Sequence, residues 1–176
     1  MTVGRAPTAG ASGEPEAVTA LKALAERSLT LATAESLTGG LIGELLTSVP
    51  GASRSYLGGV ISYATRLKHT LAGVPSATLD ELGPVAAQTA AAMALGVAGR
   101  CQADWGLAVT GVAGPEPQDG HPVGQVFVGV AWPATGWSAV RELRLVGDRG
   151  SIRRQTAVAA LMLLAEAVRD SALASR

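Results

Sequence analysis

The 176-residue sequence holds a single cysteine, Cys101. An internal disulfide is thereby excluded, and a lone thiol fits a reducing compartment, so a cytoplasmic location is expected. Histidine is nearly as scarce. His69 adjoins Lys68 on what reads as a surface helix and His121 sits in a polar loop, which leaves little material for a histidine-based triad. Neither residue joins a Cys/His cluster of zinc spacing, and the scattered carboxylates form no cage, so no metal and no cofactor are expected. Net charge is absent too. Fourteen Lys plus Arg balance fourteen Asp plus Glu, which removes any global electrostatic case for nucleic acid or an anionic membrane. Recognition of a phosphate would have to be local. No apolar run approaches the ~20 residues that span a bilayer, and the start lacks the apolar core of a signal peptide. Three glycine motifs are missing as well: the phosphate loop Gly-x-x-x-x-Gly-Lys, the dinucleotide fingerprint Gly-x-Gly-x-x-Gly, and the nucleophile elbow Gly-x-Ser-x-Gly around Ser36.

What remains is a chain that is 48% hydrophobic, enough for one well-buried domain. Met1 to Glu14 has no hydrophobic period and is expected to form a disordered tail, with the domain running from Pro15 to Ala172. Pro15 opens a helix that turns Val18, Leu21 and Leu24 inward. Leu31 to Ala34 is a buried strand, and a helix follows from Leu41 to Pro50. Tyr56 to Tyr63 forms a second strand, where Gly58-Gly59 signals a bulge or a close neighbour. Thr65, and Thr78 with Glu81, begin short helices. An alanine-rich helix from Pro84 to Arg100 suits tight packing on a sheet, and Trp105 to Thr110 is a third strand. Val123–Trp132 and Trp137–Val146 pair as a late β-hairpin. A last helix, capped by Asp148 or Ser151, runs to about Arg169 with Ile152, Ala159, Met162 and Leu163 inward. The expected fold is α/β: a single three-layer α/β/α domain with a mixed, mostly parallel sheet. Small α/β domains with exposed hairpins often pair, so a homodimer is expected.

In open α/β sheets ligands settle beyond the carboxyl ends of strands, and Ser36, Tyr63 and Thr110 fall at such ends. Around Ser36 the run Glu35-Ser36-Leu37-Thr38-Gly39-Gly40 joins a strand to a helix, where free amides and the helix dipole suit an anion or a developing oxyanion. The same residues would serve equally well as an N-cap with close-packing glycines. Lys68 lies just past Tyr63, and a lysine disfavoured in its charged form can replace histidine as the base of a serine nucleophile; a solvated surface lysine is the plain alternative. Arg149, Arg153 and Arg154 surround the start of the last helix, where they either bind a phosphate or are ordinary surface charge.

Taken together, Ala34-Glu35-Ser36-Leu37-Thr38-Gly39-Gly40, then Gly58-Gly59-Val60-Ile61-Ser62-Tyr63 with Lys68, then Thr110-Gly111-Val112-Ala113-Gly114-Pro115 and Pro122-Val123-Gly124 closely resemble the CinA carboxy-terminal domain family. The resemblance runs from about Ala17 to Asp170. It implies a nicotinamide-nucleotide amidase of the PncC type, which hydrolyses the carboxamide of nicotinamide mononucleotide to nicotinate mononucleotide and ammonia in NAD salvage. By the same resemblance Ser36 is the nucleophile, Tyr63 and Lys68 assist proton transfer, and Thr110 with the loop carrying Gly111 and Gly114 lines the pocket. Amides of Thr38, Gly39 and Gly40 would hold the oxyanion, and Gly59 is taken into the substrate site. Charge suggests Glu35 for the cationic pyridinium ring and Arg149 or its neighbours for the phosphate. Two departures stand out: Leu37 replaces a frequent Cys, and Glu116-Pro117-Gln118-Asp119-Gly120 is less glycine-rich than in many relatives. Many relatives also carry an amino-terminal nucleotide-hydrolysing domain; this sequence does not include one, and no pyrophosphatase activity is expected. A non-catalytic nucleotide-binding module and an amidase for another small carboxamide are the competing readings.

Overall fold

A computed structural model of the chain describes residues 14–174, with side chains from 15 to 171. The tail expected over residues 1–14 lies outside the described residues except for Glu14, which opens the first helix. In chain order the regular elements are α1 (Glu14–Ala25), β1 (Leu31–Glu35), α2 (Leu41–Thr47), β2 (Tyr56–Ile61), α3 (Thr65–Thr70), α4 (Ser76–Leu82), α5 (Ala87–Cys101), β3 (Trp105–Gly111), β4 (Gln125–Trp132), β5 (Trp137–Arg144) and α6 (Arg149–Ala174). The five strands form one sheet in the order β2-β1-β3-β4-β5. β2, β1 and β3 pair in parallel, while β4 is antiparallel to both β3 and β5. The sheet is therefore mixed as expected: four strands point one way, and β4 with β5 forms the late hairpin.

Alternation along the strands sorts the two faces. Leu31 of β1, Trp105, Leu107 and Val109 of β3, and Val126, Val128 and Val130 of β4 pack with α1, α2 and α6 in one core. The opposite face carries Ala32, Ala34, Ala108 and Ala131, which meet Met93, Ala94 and Val97 of α5. Small residues on both sides let α5 lie close to the sheet. A Cβ at Gly106 would stand 2.8 Å from the Ala94 carbonyl carbon, and one at Gly129 would stand 2.7 Å from that of Ala90. Both approaches are closer than any side chain tolerates, so the helix–sheet distance is set by the absence of a Cβ.

The glycine pair in β2 does both things it could. The ladder skips Leu57 between Tyr56 and Gly58, which is a bulge. A Cβ on Gly59 would run into Thr33, standing 3.1 Å from its carbonyl carbon. Gly59 is thus a packing residue of the β1–β2 pair and does not line the pocket, contrary to its expected place in the substrate site.

Several boundaries differ from the sequence-based expectation. α4 begins at Ser76 behind Pro75, with no side-chain cap, so Thr78 and Glu81 lie inside the helix. α3 starts behind Ala64 in place of a Thr65 cap. α6 begins where expected: Asp148 accepts the Ser151 amide at 2.7 Å. Two inward assignments fail. Val18 is 45% exposed and Met162 is 48% exposed, because Ala17, Ala20, Leu21 and Leu24 already fill the α1 stripe and Leu161 and Leu164 fill that of α6. Among the described residues no helix is long and apolar enough to cross a membrane.

Candidate active site

β1 lies between β2 and β3, and all three run in parallel, so their carboxyl ends open on one rim of the sheet. That topology brings Ser36, Tyr63 and Thr110 to the lining of a single cavity of about 120 Å³, together with Lys68, Gly111, Gly114 and Arg149. Residues up to 113 positions apart in the chain, from Ser36 to Arg149, meet there.

The contact at the centre is between Lys68 and Ser36. Lys68 Nζ donates to Ser36 Oγ at 2.8 Å and to the Ser62 carbonyl at 2.9 Å. Ser36 is 7% exposed and Lys68 only 2%. Among the described residues no carboxylate pairs with Lys68, since the ion pairs present involve other residues. Burial without a counter-charge disfavours the ammonium form, and the Lys68 pKa falls from its ordinary 10.5 to about 8. A useful fraction of neutral amine therefore exists near neutrality. Neutral Nζ can keep one N–H on the Ser62 carbonyl while its lone pair takes the Ser36 hydroxyl proton.

Tyr63 is at the rim and half exposed. Its hydroxyl accepts from Arg149 Nη2 at 3.0 Å, and Arg149 Nη1 donates to the Gly114 carbonyl at 2.7 Å. No hydrogen bond joins Tyr63 to Ser36 or Lys68 among the described residues. Of the three groups expected to share a proton, the hydroxyl and the amine meet, and the phenol instead anchors an arginine at the mouth. Thr110, 1% exposed, donates from Oγ1 to the Pro84 carbonyl at 2.6 Å and so ties β3 to the loop ahead of α5.

Glu35 does not face this cavity. Successive strand residues point to opposite faces, so Glu35 and Ser36 part company at the end of β1. The Glu35 carboxylate, 2% exposed, accepts the amides of Gly40 at 3.0 Å, Ile42 at 3.1 Å and Gly43 at 2.9 Å. It closes the N-terminus of α2, where a carboxylate also meets the positive end of the helix dipole. The expected role toward a pyridinium ring is therefore corrected to a structural one. Glu35→Ala, which takes the shared partner from three amides at the start of α2, one of them buried, is expected to cost about 3 kcal/mol of stability, measured by urea unfolding; a loss below about 1 kcal/mol would refute the assignment.

The glycine amides offered as oxyanion donors are occupied as well. Gly39 N–H donates to the Ser36 carbonyl at 3.1 Å, and Gly40 N–H goes to Glu35. Thr38 is fully buried, and its hydroxyl has no partner among the described residues. The backbone N–H groups of Leu37 and Thr38 likewise have none. Arg153, one of the arginines considered for phosphate, donates to the Leu37 carbonyl at 3.0 Å and the Thr38 carbonyl at 2.6 Å. Its Nε and Nη2 are engaged by the turn. Arg154 is exposed and away from the cavity lining.

Sequence reasoning missed several participants. The Ser62 carbonyl and the Pro84 carbonyl are backbone groups with no residue-type signature. Glu116 and Gln118 reach the cavity from the loop after Pro115, which stood out only as a departure from relatives. The histidines stay apart, with His69 Nδ1 on the Val74 carbonyl at 2.7 Å and His121 Nδ1 on Gln125 Oε1 at 3.0 Å. Among the described residues no group of three or more His, Cys, Asp or Glu is placed to hold a metal ion.

Residues 14–168 match the profile of the CinA C-terminal domain. A CinA-like protein of Frankia casuarinae is 50% identical over 141 residues, 80% of this chain and 32% of that protein. A putative competence-damage inducible protein of Desulforamulus reducens is 48% identical over 140 residues, 80% of this chain and 34% of its own length. The chain thus spans about a third of the length of the curated relatives it matches. Among solved structures, the competence/damage inducible protein CihA of Agrobacterium tumefaciens superposes with a TM-score of 0.84 at 33% identity, covering 96% of this chain and 99% of that one. A CinA superfamily protein from Escherichia coli gives 0.80 at 28% identity, covering 94% of this chain and 95% of its own. With sequence and fold in agreement over nearly the whole length, the chain belongs to the CinA C-terminal domain family.

Proposed function

We propose that the domain hydrolyses a pyridine carboxamide, with nicotinamide mononucleotide as substrate and nicotinate mononucleotide and ammonia as products. The observation that carries this is the buried Lys68 amine 2.8 Å from Ser36 Oγ, with a pKa of about 8. A hydroxyl beside a poised base, at the end of a strand, is an acyl-transfer arrangement. Neutral Lys68 takes the Ser36 proton as Oγ bonds to the carboxamide carbon. The tetrahedral intermediate then expels ammonia as Lys68 returns that proton to the leaving nitrogen. Water attacks the resulting ester, its proton passing to Lys68 and then to Ser36 Oγ, and the acid is released.

A cavity of about 120 Å³ accommodates a single small ring, whereas whole drug-sized ligands occupy about 300 Å³ or more. The ribose phosphate of a nucleotide would therefore lie over the rim, where Arg149 stands. Ammonia release from nicotinamide mononucleotide, nicotinamide riboside and nicotinamide tests this, with preference for the nucleotide expected. Arg149→Ala should raise KM for the nucleotide about tenfold, the order of one charge-assisted hydrogen bond, and leave the free base unaffected. No ammonia from any of the three would sink the amidase reading; equal use of all three would leave an amidase that ignores the phosphate.

A further inference from the structure

We propose that Arg153 is a positioning residue that builds the oxyanion hole from the amides of Leu37 and Thr38. The inference rests on the reading of Ser36 as an acyl-transfer nucleophile and goes beyond it. In a trans peptide the N–H points opposite to the C=O of the same plane. The Leu37 carbonyl is held by Arg153 Nε at 3.0 Å, so the Thr38 N–H is turned away from the guanidinium. The Ser36 carbonyl is held by the Gly39 amide at 3.1 Å, which fixes the Leu37 N–H in the same manner. Arg153 Nη2 on the Thr38 carbonyl then locks the third plane of the turn.

The other backbone amides of the turn are paired among the described residues. Gly39 and Gly40 amides are occupied, and Glu35 holds the start of α2. Two successive N–H groups directly after the nucleophile have no protein partner among the described residues, and they belong to residues that are 4% and 0% exposed. Buried amides without partners are uncommon because each forfeits a hydrogen bond. Consecutive ones form an anion-binding concavity, and the amide after a nucleophilic serine is a recurrent oxyanion donor. The guanidinium touches neither Ser36 Oγ nor Lys68; it acts through the peptide planes. A lysine could reach one carbonyl, but only the planar fork of arginine holds two in fixed geometry.

The test compares wild type, Arg153→Met and Arg153→Lys by two readouts: steady-state ammonia release from nicotinamide mononucleotide, and covalent labelling of Ser36 by phenylmethanesulfonyl fluoride, followed by mass spectrometry. Loss of a preorganised oxyanion donor lowers kcat about 10²-fold. Arg153→Met is expected to show that loss with little change in KM, a labelling rate at least about tenfold lower, and a pH midpoint still near 8, because Lys68 is untouched. Arg153→Lys falls between. An unchanged labelling rate, a loss confined to KM, or a shifted pH midpoint would overturn the assignment. If wild type labels at Ser36 yet releases no ammonia, the substrate assignment fails while the comparison of labelling rates still decides the role of Arg153. If wild type neither labels nor turns over, both fall.

Discussion

Ser36→Ala is expected to lower ammonia release from nicotinamide mononucleotide about 10³-fold or more, while binding of nicotinate mononucleotide is nearly unchanged. The hydroxyl makes the first bond to the substrate carbon, and the later attack of water acts on the ester that bond creates, so no neighbour can replace it. Lys68 keeps its bond to the Ser62 carbonyl at 2.9 Å in the variant, and the cavity retains its shape, which is why binding survives. The measurement separates an enzyme from a nucleotide-binding module, since a module has no turnover to lose. Residual activity within about tenfold of wild type would remove Ser36 from the chemistry.

Lys68→Met carries the second large effect and adds a pH dependence. The competent form of Lys68 is the neutral amine, so kcat/KM of the wild type should rise with pH and level off above about 8. The variant should lose about 10³-fold and show no such rise. Stability follows the same group with a definite sign. Folded Lys68 has a pKa of about 8 against 10.5 when exposed, so between those values the unfolded chain binds more protons and stability increases with pH. Below pH 8 both states carry the charge and the full cost of burying it is present. At about 1.4 kcal/mol per unit of pKa difference, wild type should gain roughly 2–3 kcal/mol relative to Lys68→Met between pH 7 and 10. A flat difference in urea unfolding would mean that the amine is solvated.

The candidate site was legible in part. Strand–helix alternation placed Ser36, Tyr63 and Thr110 at carboxyl ends of strands, and parallel neighbours then had to open them on one rim. The alanine-rich stretch of α5 was readable as a close-packing helix because nothing else fits Gly106 and Gly129. The Gly58-Gly59 signal was read correctly as bulge or close approach, yet Gly59 was also given to the substrate. Glu35 was misplaced although the period of two already sends it and Ser36 to opposite faces. The partners of Tyr63 and Arg153 were hidden for another reason: they are Arg149 and two carbonyls, and nothing in residue type or spacing marks a carbonyl as available.

By itself, the sequence determined the order and kind of the elements, the two-faced sheet, and the presence of a hydroxyl and a lysine near one edge, because periodicity and turn chemistry act over a few residues and are written locally. The tertiary structure alone decided that Lys68 is buried with no carboxylate beside it among the described residues and reaches Ser36, that Arg149 takes the phenol, and that Arg153 grips the turn. Desolvation and hydrogen-bond pairing depend on which distant groups pack together, and those neighbours exist only once the sheet has brought β1, β2, β3 and α6 to a common rim.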